Sequence, residues 1–210
     1  MIGNLEMRHV AKSYGRKRVF DAFDGTFEPG KLTALVGPNG AGKTTLMRIA
    51  ADLQTADAGE IIRPAPAAYF GGFDTIPVAG TVWTLRASLG VSAGDDRRSL
   101  SRLSRGELQL AGLGIILDLA PAILLLDEPW TALEPHVRRE LTERLSGLAA
   151  EGRIVVCSSH DLDEVVRAAD DVVFLHDGKG VWMRGDERVD QAALMAMFEK
   201  TRETRLRKVQ

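Results

Sequence analysis

A single cysteine among 210 residues, Cys157, excludes an internal disulfide and fits a reducing compartment. Long apolar runs are missing. The most apolar stretch, Leu108–Leu126, is interrupted by Asp118 and Pro121 and contains Gly112 and Gly114, which is too broken for a membrane span. An excess of one charge is missing too: 27 Lys and Arg against 29 Asp and Glu give a formal charge of −2. No global positive field therefore draws the chain to nucleic acid or anionic lipid, and no nucleic-acid partner is expected. Met1–Gly3 runs directly into the charged Glu6 and Arg8, unlike a basic-then-apolar leader. There is no internal repeat and no low-complexity tract. The expectation is a single soluble, cytoplasmic domain over 1–210 that reaches a membrane only through a partner. Its 45% of apolar and 27% of charged residues are enough for a real core.

The pattern along the chain alternates. Leu5–Tyr14 and Val19–Phe27 read as strands around a basic turn at 15–18, and Leu32–Val36 as a short buried strand. A glycine-rich loop and a helix over Gly42–Asp52 follow, then a strand at Glu60–Arg63. From Pro64 to Gly94 the periodicity weakens, apart from a helix over Thr81–Leu89. An inserted lobe is expected at about 73–104. Regularity then returns, with helices at Gly106–Leu117, Glu134–Ala150 and Leu162–Ala169 and strands at Ala122–Leu126 and Ile154–Ser158. Val172–His176 and Val181–Arg184 read as a hairpin through Asp177-Gly178, and Gln191–Thr201 as a last helix. The basic segment 200–210 reads as a frayed, solvated tail, with contact to lipid headgroups or a membrane partner as the alternative. Strands alternating with helices define an α/β fold with a mostly parallel sheet covered on both faces.

Gly37-Pro38-Asn39-Gly40-Ala41-Gly42-Lys43-Thr44-Thr45 fits G-x-x-x-x-G-K-[ST] at every required position, between an apolar strand and a helix. Such a loop curls so that its N–H groups point inward at phosphate oxygens, and the following helix start adds positive dipole. Lys43 is expected to reach the β- and γ-phosphates of ATP, and the Thr44 hydroxyl to ligate Mg²⁺. Ile123–Leu126 is an apolar strand that ends in Asp127 and Glu128. A buried parallel strand presents its C-terminal residues at the ligand edge. Asp127 is therefore placed at the Mg²⁺ shell, and Glu128 as acceptor of the attacking water's proton.

Leu103-Ser104-Arg105-Gly106-Glu107 stands at a helix start, with Ser104 23 positions ahead of Asp127. With this third element in order, the chain resembles the ABC ATPase family over about residues 5–185. The family's signature is Leu-Ser-x-Gly-Gln, upstream of an apolar strand ending in Asp-Glu. The resemblance implies a P-loop NTPase with an N-terminal antiparallel β subdomain and a short inserted α-helical subdomain. It also implies two subunits that sandwich two ATPs, Ser104, Gly106 and Glu107 of one capping the γ-phosphate held by the other. Tyr14 then occupies the place of the aromatic that stacks on adenine, and His160 that of a switch histidine at the γ-phosphate. Thr131-Ala132-Leu133-Glu134 takes the place of a loop linking the two sites. The implied partners are a second nucleotide-binding subunit and a separate transmembrane permease, here of the exporter kind, so the chain would sit at the inner face of the membrane. Competing readings are a regulatory cassette and a non-transport ATPase of DNA repair or translation.

The sequence departs from that family in four respects. Glu107 replaces the last glutamine of the signature, and Glu134 replaces an aspartate. The junction with the lobe, which holds a glutamine in the family, falls at Gly72, and no glutamine occurs between Gln54 and Gln109. The 32 residues from Gly72 to Ser104 also make a short lobe. Glu107 and Glu134 keep a polar side chain and are expected to tune function rather than abolish it, whereas the missing glutamine is expected to touch coupling more than hydrolysis.

Overall fold

The computed structural model describes residues 2–76, 79–89, 96–184 and 191–207. The chain begins with antiparallel strands β1 (Leu5–Tyr14) and β2 (Lys17–Phe27), then forms β3 (Leu32–Val36) and α1 (Lys43–Ala50). Strands β4 (Ala58–Ile62) and β5 (Ala67–Phe70) follow, with a 3-10 turn at Phe73–Thr75 and α2 (Val82–Ser88). A second 3-10 turn at Leu100–Arg102 leads into α3 (Arg105–Asp118), β6 (Ile123–Leu126), α4 (Pro135–Ala150) and β7 (Ile154–Ser158). The remaining elements are α5 (Leu162–Ala168), β8 (Asp171–His176), β9 (Lys179–Met183) and α6 (Gln191–Arg207).

Two sheets result. One is three-stranded in the order β2-β1-β4; the other is six-stranded in the order β5-β6-β7-β3-β8-β9. In the larger sheet every neighbouring pair is parallel except β8–β9. β3, β6 and β7 are buried at every position, which explains their continuous apolar sequences: a parallel strand covered on both faces has no reason to alternate. Successive side chains still point to opposite faces. Leu35, Leu125 and Val156 join Phe20, Phe23, Leu46 and Met47 beneath the small sheet and α1. Leu32, Leu124, Leu126, Val155 and Cys157 pack instead with Leu113, Leu141 and Leu145 of α3 and α4. Burial in that layer pushes the Cys157 thiol's pKa upward, so it stays protonated and inert.

Three elements differ from the sequence reading. Ala67–Phe70, expected within irregular chain, is a parallel edge strand on β6, so the main sheet continues up to the doorstep of the lobe. Four residues after a run of prolines are too few to show a period. The last helix was expected to stop at Thr201 and a frayed tail to begin at Lys200; α6 continues through Arg207. Its Leu194 is fully buried against Phe174 and Val165, which anchors the helix and lets it propagate into the basic segment. Between Phe73 and Leu103 the described residues hold one α-helix and two 3-10 turns. Among the described residues no helix is long and apolar enough to cross a membrane.

Leu125, 1% exposed at the centre of β6, tests the two-layer core. Leu125→Ala is expected to destabilise the protein by about 2–5 kcal/mol. Urea unfolding should show a lower midpoint at unchanged slope, and an unchanged midpoint would contradict the burial.

Candidate functional site

Parallel pairing lines up the C-terminal ends of β5, β6, β7 and β3, four adjacent strands, along one edge. Phe70 pairs with Leu126, Leu126 with Cys157, and Leu35 with Ser158. Everything that follows these strand ends therefore meets in one place: Gly71-Gly72, Asp127-Glu128, Ser158–His160 and the phosphate loop. A cleft of about 610 Å³ opens there. It is lined by Tyr14, Lys17, Val19, Asn39, Gly40, Gly42 to Thr45, Gly71 to Phe73, Gln109, Asp127, Glu128, Thr131 and His160.

The loop's first glycine has a packing role as well. Gly37 has φ +145, and a Cβ there would lie 2.3 Å from the Leu175 carbonyl oxygen, so only glycine lets the loop lie this close to β8. Gly37, Pro38 and Ala41 do not line the cleft, Gly37 facing β8 and Ala41 the core, and the other six motif residues do. The Lys43 ammonium donates to the Gly37 carbonyl at 2.8 Å, folded back along the loop. Burial lowers the Lys43 pKa, while the carboxylates of Glu128 and Asp127 act in the opposite direction.

Asp127 gathers three hydroxyl donors. Its Oδ2 accepts from the Thr44 hydroxyl at 2.5 Å and from the Tyr69 hydroxyl at 3.3 Å, and its Oδ1 accepts from the Ser158 hydroxyl. Burial, and next the Asp127 charge, raise the Tyr69 pKa, so that phenol remains a donor. Ser158 also accepts from the Glu128 N–H at 2.9 Å. Glu128 has φ +52, a left-handed conformation that costs a non-glycine residue roughly 1–3 kcal/mol. Its Oε2 lies 2.8 Å from His160 Nδ1. Carboxylate and imidazole are thus already paired at the mouth of the cleft.

Tyr14, 51% exposed, presents its ring at the other end. Its hydroxyl accepts from Gln54 Nε2 at 2.5 Å and lies 3.4 Å from Thr45 Oγ1. The Thr45 contact is the largest cause of its lowered pKa. Ser104, Gly106 and Glu107 lie outside the cleft. There Glu107 Oε2 accepts from both the Ser104 N–H and the Ser104 hydroxyl at 2.9 Å, closing a capping box on α3. Those hydrogen bonds hold the Glu107 pKa down, so the box carries a negative charge at neutral pH.

Four polar residues escape a reading by motif: Lys17 and Gln109, which line the cleft, and Ser158 and Tyr69, which bond to Asp127 behind it. Lys17, read as part of a basic turn, brings its ammonium to 3.7 Å from where a Gly40 Cβ would be. Ser158 reads in the sequence only as the last residue of a strand, and Tyr69 belongs to β5, which is too short to show a period. Gln109 sits beyond the signature on α3 and is wholly buried. Only tertiary adjacency reveals all four.

A strand–loop–helix phosphate cradle beside a strand-end Asp-Glu pair defines a phosphate-loop nucleotide-binding protein. Comparison with known proteins narrows this. Residues 20–76 match the family described as ABC transporter. Residues 88–167 match an AAA domain family described as putative AbiEii toxin of a type IV toxin–antitoxin system. The lantibiotic transport ATP-binding protein SrtF of Streptococcus pyogenes is 30% identical over 94% of this chain and 100% of its own. An aliphatic sulfonates import ATP-binding protein of Nocardia farcinica is 36% identical over 81% of this chain and 77% of its own. A solved ATP-binding subunit of an ABC transporter shares the fold at a TM-score of 0.77, with 22% identity over 87% of this chain and 90% of that one. A dimeric ATP-binding cassette with ADP and Pi bound shares it at 0.75, with 20% identity over 86% and 98%. The chain belongs to the ATP-binding subunits of ABC transporters, a family of ATPases.

The buried lysine gives a pH test. The charged ammonium is the form that attracts triphosphate, and a lowered pKa means that this charge is lost at a lower pH than in a free lysine. ATP affinity of the free protein is expected to weaken on the alkaline side, beginning below the ordinary lysine value of about 10.4. Lys43→Arg, which does not titrate there, should flatten whatever affinity it retains. Fluorescent-nucleotide titrations between neutral pH and that value check this; a flat wild-type profile would contradict it.

Proposed function

We propose that this chain is the ATP-hydrolysing motor subunit of an exporter, closing head to tail with a second nucleotide-binding subunit around two ATPs and driving a separate transmembrane subunit. That subunit would hold it at the inner face of the cell membrane. The observation that carries the reading is the separation of two half-sites. Lys43, Thr44, Asp127, Glu128 and His160 converge on the cleft, while Ser104, Gly106 and Glu107 stand outside it. A signature that cannot serve its own cleft is understandable if it serves a neighbour's.

In this mechanism the adenine stacks on Tyr14, a contact worth about 1–3 kcal/mol if it resembles other base–aromatic stacks. Asn39 to Thr45 and the start of α1 hold the phosphates through N–H groups, with Lys43 between the β- and γ-phosphates. Thr44 and Asp127 offer adjacent hard oxygen donors, a set that suits Mg²⁺ completed by phosphate and water. The ion would supply charge neutralisation at the phosphates. Glu128 takes a proton from water aligned with the γ-phosphate, and His160, already at the Glu128 carboxylate, stabilises the developing charge. Loss of the bridging γ-phosphate then lets the halves part, and the lobe passes the motion onward.

Glu128→Gln should leave binding intact and abolish turnover, giving an ATP-stable dimer by light scattering at millimolar ATP; a variant that stays monomeric would sink the sandwich. In that background, Glu107→Gln removes the negative charge that the capping box would bring to the partner's triphosphate. It is expected to lower several-fold the ATP concentration at which dimers form, and an unchanged concentration would show that the charge does not face the nucleotide.

A further inference from the structure

The junction with the inserted lobe lacks the side chain that the family's pattern places there, and its backbone explains why. Gly72 has φ +86 and ψ 176, a region open essentially to glycine alone. A glutamine at 72 would need a different backbone at this turn. A Cβ at Gly72 would lie 3.9 Å from Gln109 Oε1 and 3.7 Å from the Asp127 carbonyl oxygen. A carboxamide is therefore present beside the junction, but it arrives from α3.

Gln109 is 0% exposed, and its hydrogen bonds run in two directions. Oε1 accepts from the Phe73 N–H at 2.9 Å, the first residue of the lobe's opening 3-10 turn. Nε2 donates to the Pro129 carbonyl at 2.9 Å and to the Glu128 carbonyl at 3.2 Å. Only a primary carboxamide combines one acceptor with two donors in this plane. The Glu128 peptide is clamped on both sides, Ser158 accepting from its N–H and Gln109 donating to its carbonyl, which also accepts from the Thr131 N–H at 3.1 Å. That clamp holds the positive φ of Glu128.

We infer that Gln109 is a positioning residue that ties the entrance of the lobe, at Phe73, to the strained peptide of Glu128, so that movement of the lobe displaces the carboxylate that acts on water. This rests on the reading of Glu128 as the group that activates water. A shift of the Phe73 N–H drags the carboxamide, and the carboxamide is bonded to the two carbonyls that set the direction of the Glu128 side chain. The lobe can then govern hydrolysis with no side chain at position 72.

Two variants of the full-length chain separate the ends of the link. Gln109→Glu keeps an acceptor for the Phe73 N–H and loses both donors; Gln109→Met loses both functions at similar volume. At millimolar Mg-ATP, each is expected to lower kcat about tenfold to a hundredfold with the ATP Kd held within twofold. Amide exchange at Phe73, followed by NMR, should accelerate at least tenfold in the Met variant and stay near the wild-type rate in the Glu variant. A kcat within twofold of wild type in folded protein overturns the inference, as does a Kd that rises in step with the loss of kcat, because a merely structural glutamine would give either result. If wild type itself releases no phosphate, the ATPase reading fails instead. Exchange then judges Gln109 alone, and equal Phe73 rates in wild type and the Met variant overturn it.

Discussion

The site depends on one constraint, the in-register parallel pairing of β5, β6, β7 and β3. Because parallel strands all point the same way, pairing four of them brings four chain ends to one edge without any of those ends having to attract another. A one-residue slip of β6 against β7 would turn Leu124 and Leu126 from the α3–α4 layer to the opposite face and exchange Asp127 for Glu128 at the floor of the cleft. The apolar layers on both sides forbid that slip. Core packing thus positions the carboxylates, and the hydrogen bonds to Asp127 only refine what the register has set.

Those refinements share a feature. Asp127 takes hydroxyl donors from three separate segments: Thr44 at the start of α1, Tyr69 in β5 and Ser158 at the end of β7. Hydroxyls are the donors that a cation displaces at least cost, since each keeps an oxygen lone pair that can turn to ligate. Arg138 extends the network outward: its guanidinium donates to Asp161 Oδ2 at 2.9 Å and to the Leu133 carbonyl at 3.0 Å. The loop from Thr131 to Glu134 is thereby fastened to the turn that bears His160.

Much of this was legible in the sequence because contiguous motifs report contiguous geometry. The phosphate loop, the Asp127-Glu128 strand end and the turn at His160 each sit within a single strand–loop step, so their residues name their own places. Gln109, Lys17 and Tyr69 could not be found that way, since what brings the first two to the cleft and the third to Asp127 is adjacency between elements far apart in the chain. β5 escaped because Ala-Ala-Tyr-Phe is too short to display a period and follows prolines that signal a turn. The helix through Arg207 escaped for a related reason: nucleation by the buried Leu194 carries into residues whose own composition reads as solvated tail.

The departure at position 72 and the strain at Glu128 bear on each other. A residue held at positive φ returns to an ordinary conformation unless its neighbours over-determine it. Here the neighbours are a serine on the N–H side and, on the carbonyl side, the Thr131 N–H and a glutamine, and the glutamine is shared with the lobe. Rigid fixation of Glu128 would need no such sharing, because a second contact from β7 or the phosphate loop would serve. Placing half of the clamp on a helix whose other bond reaches the lobe makes the strained state conditional on where the lobe lies. Loss of a side chain at the junction then leaves the communication in place, carried by a residue that the core keeps permanently buried.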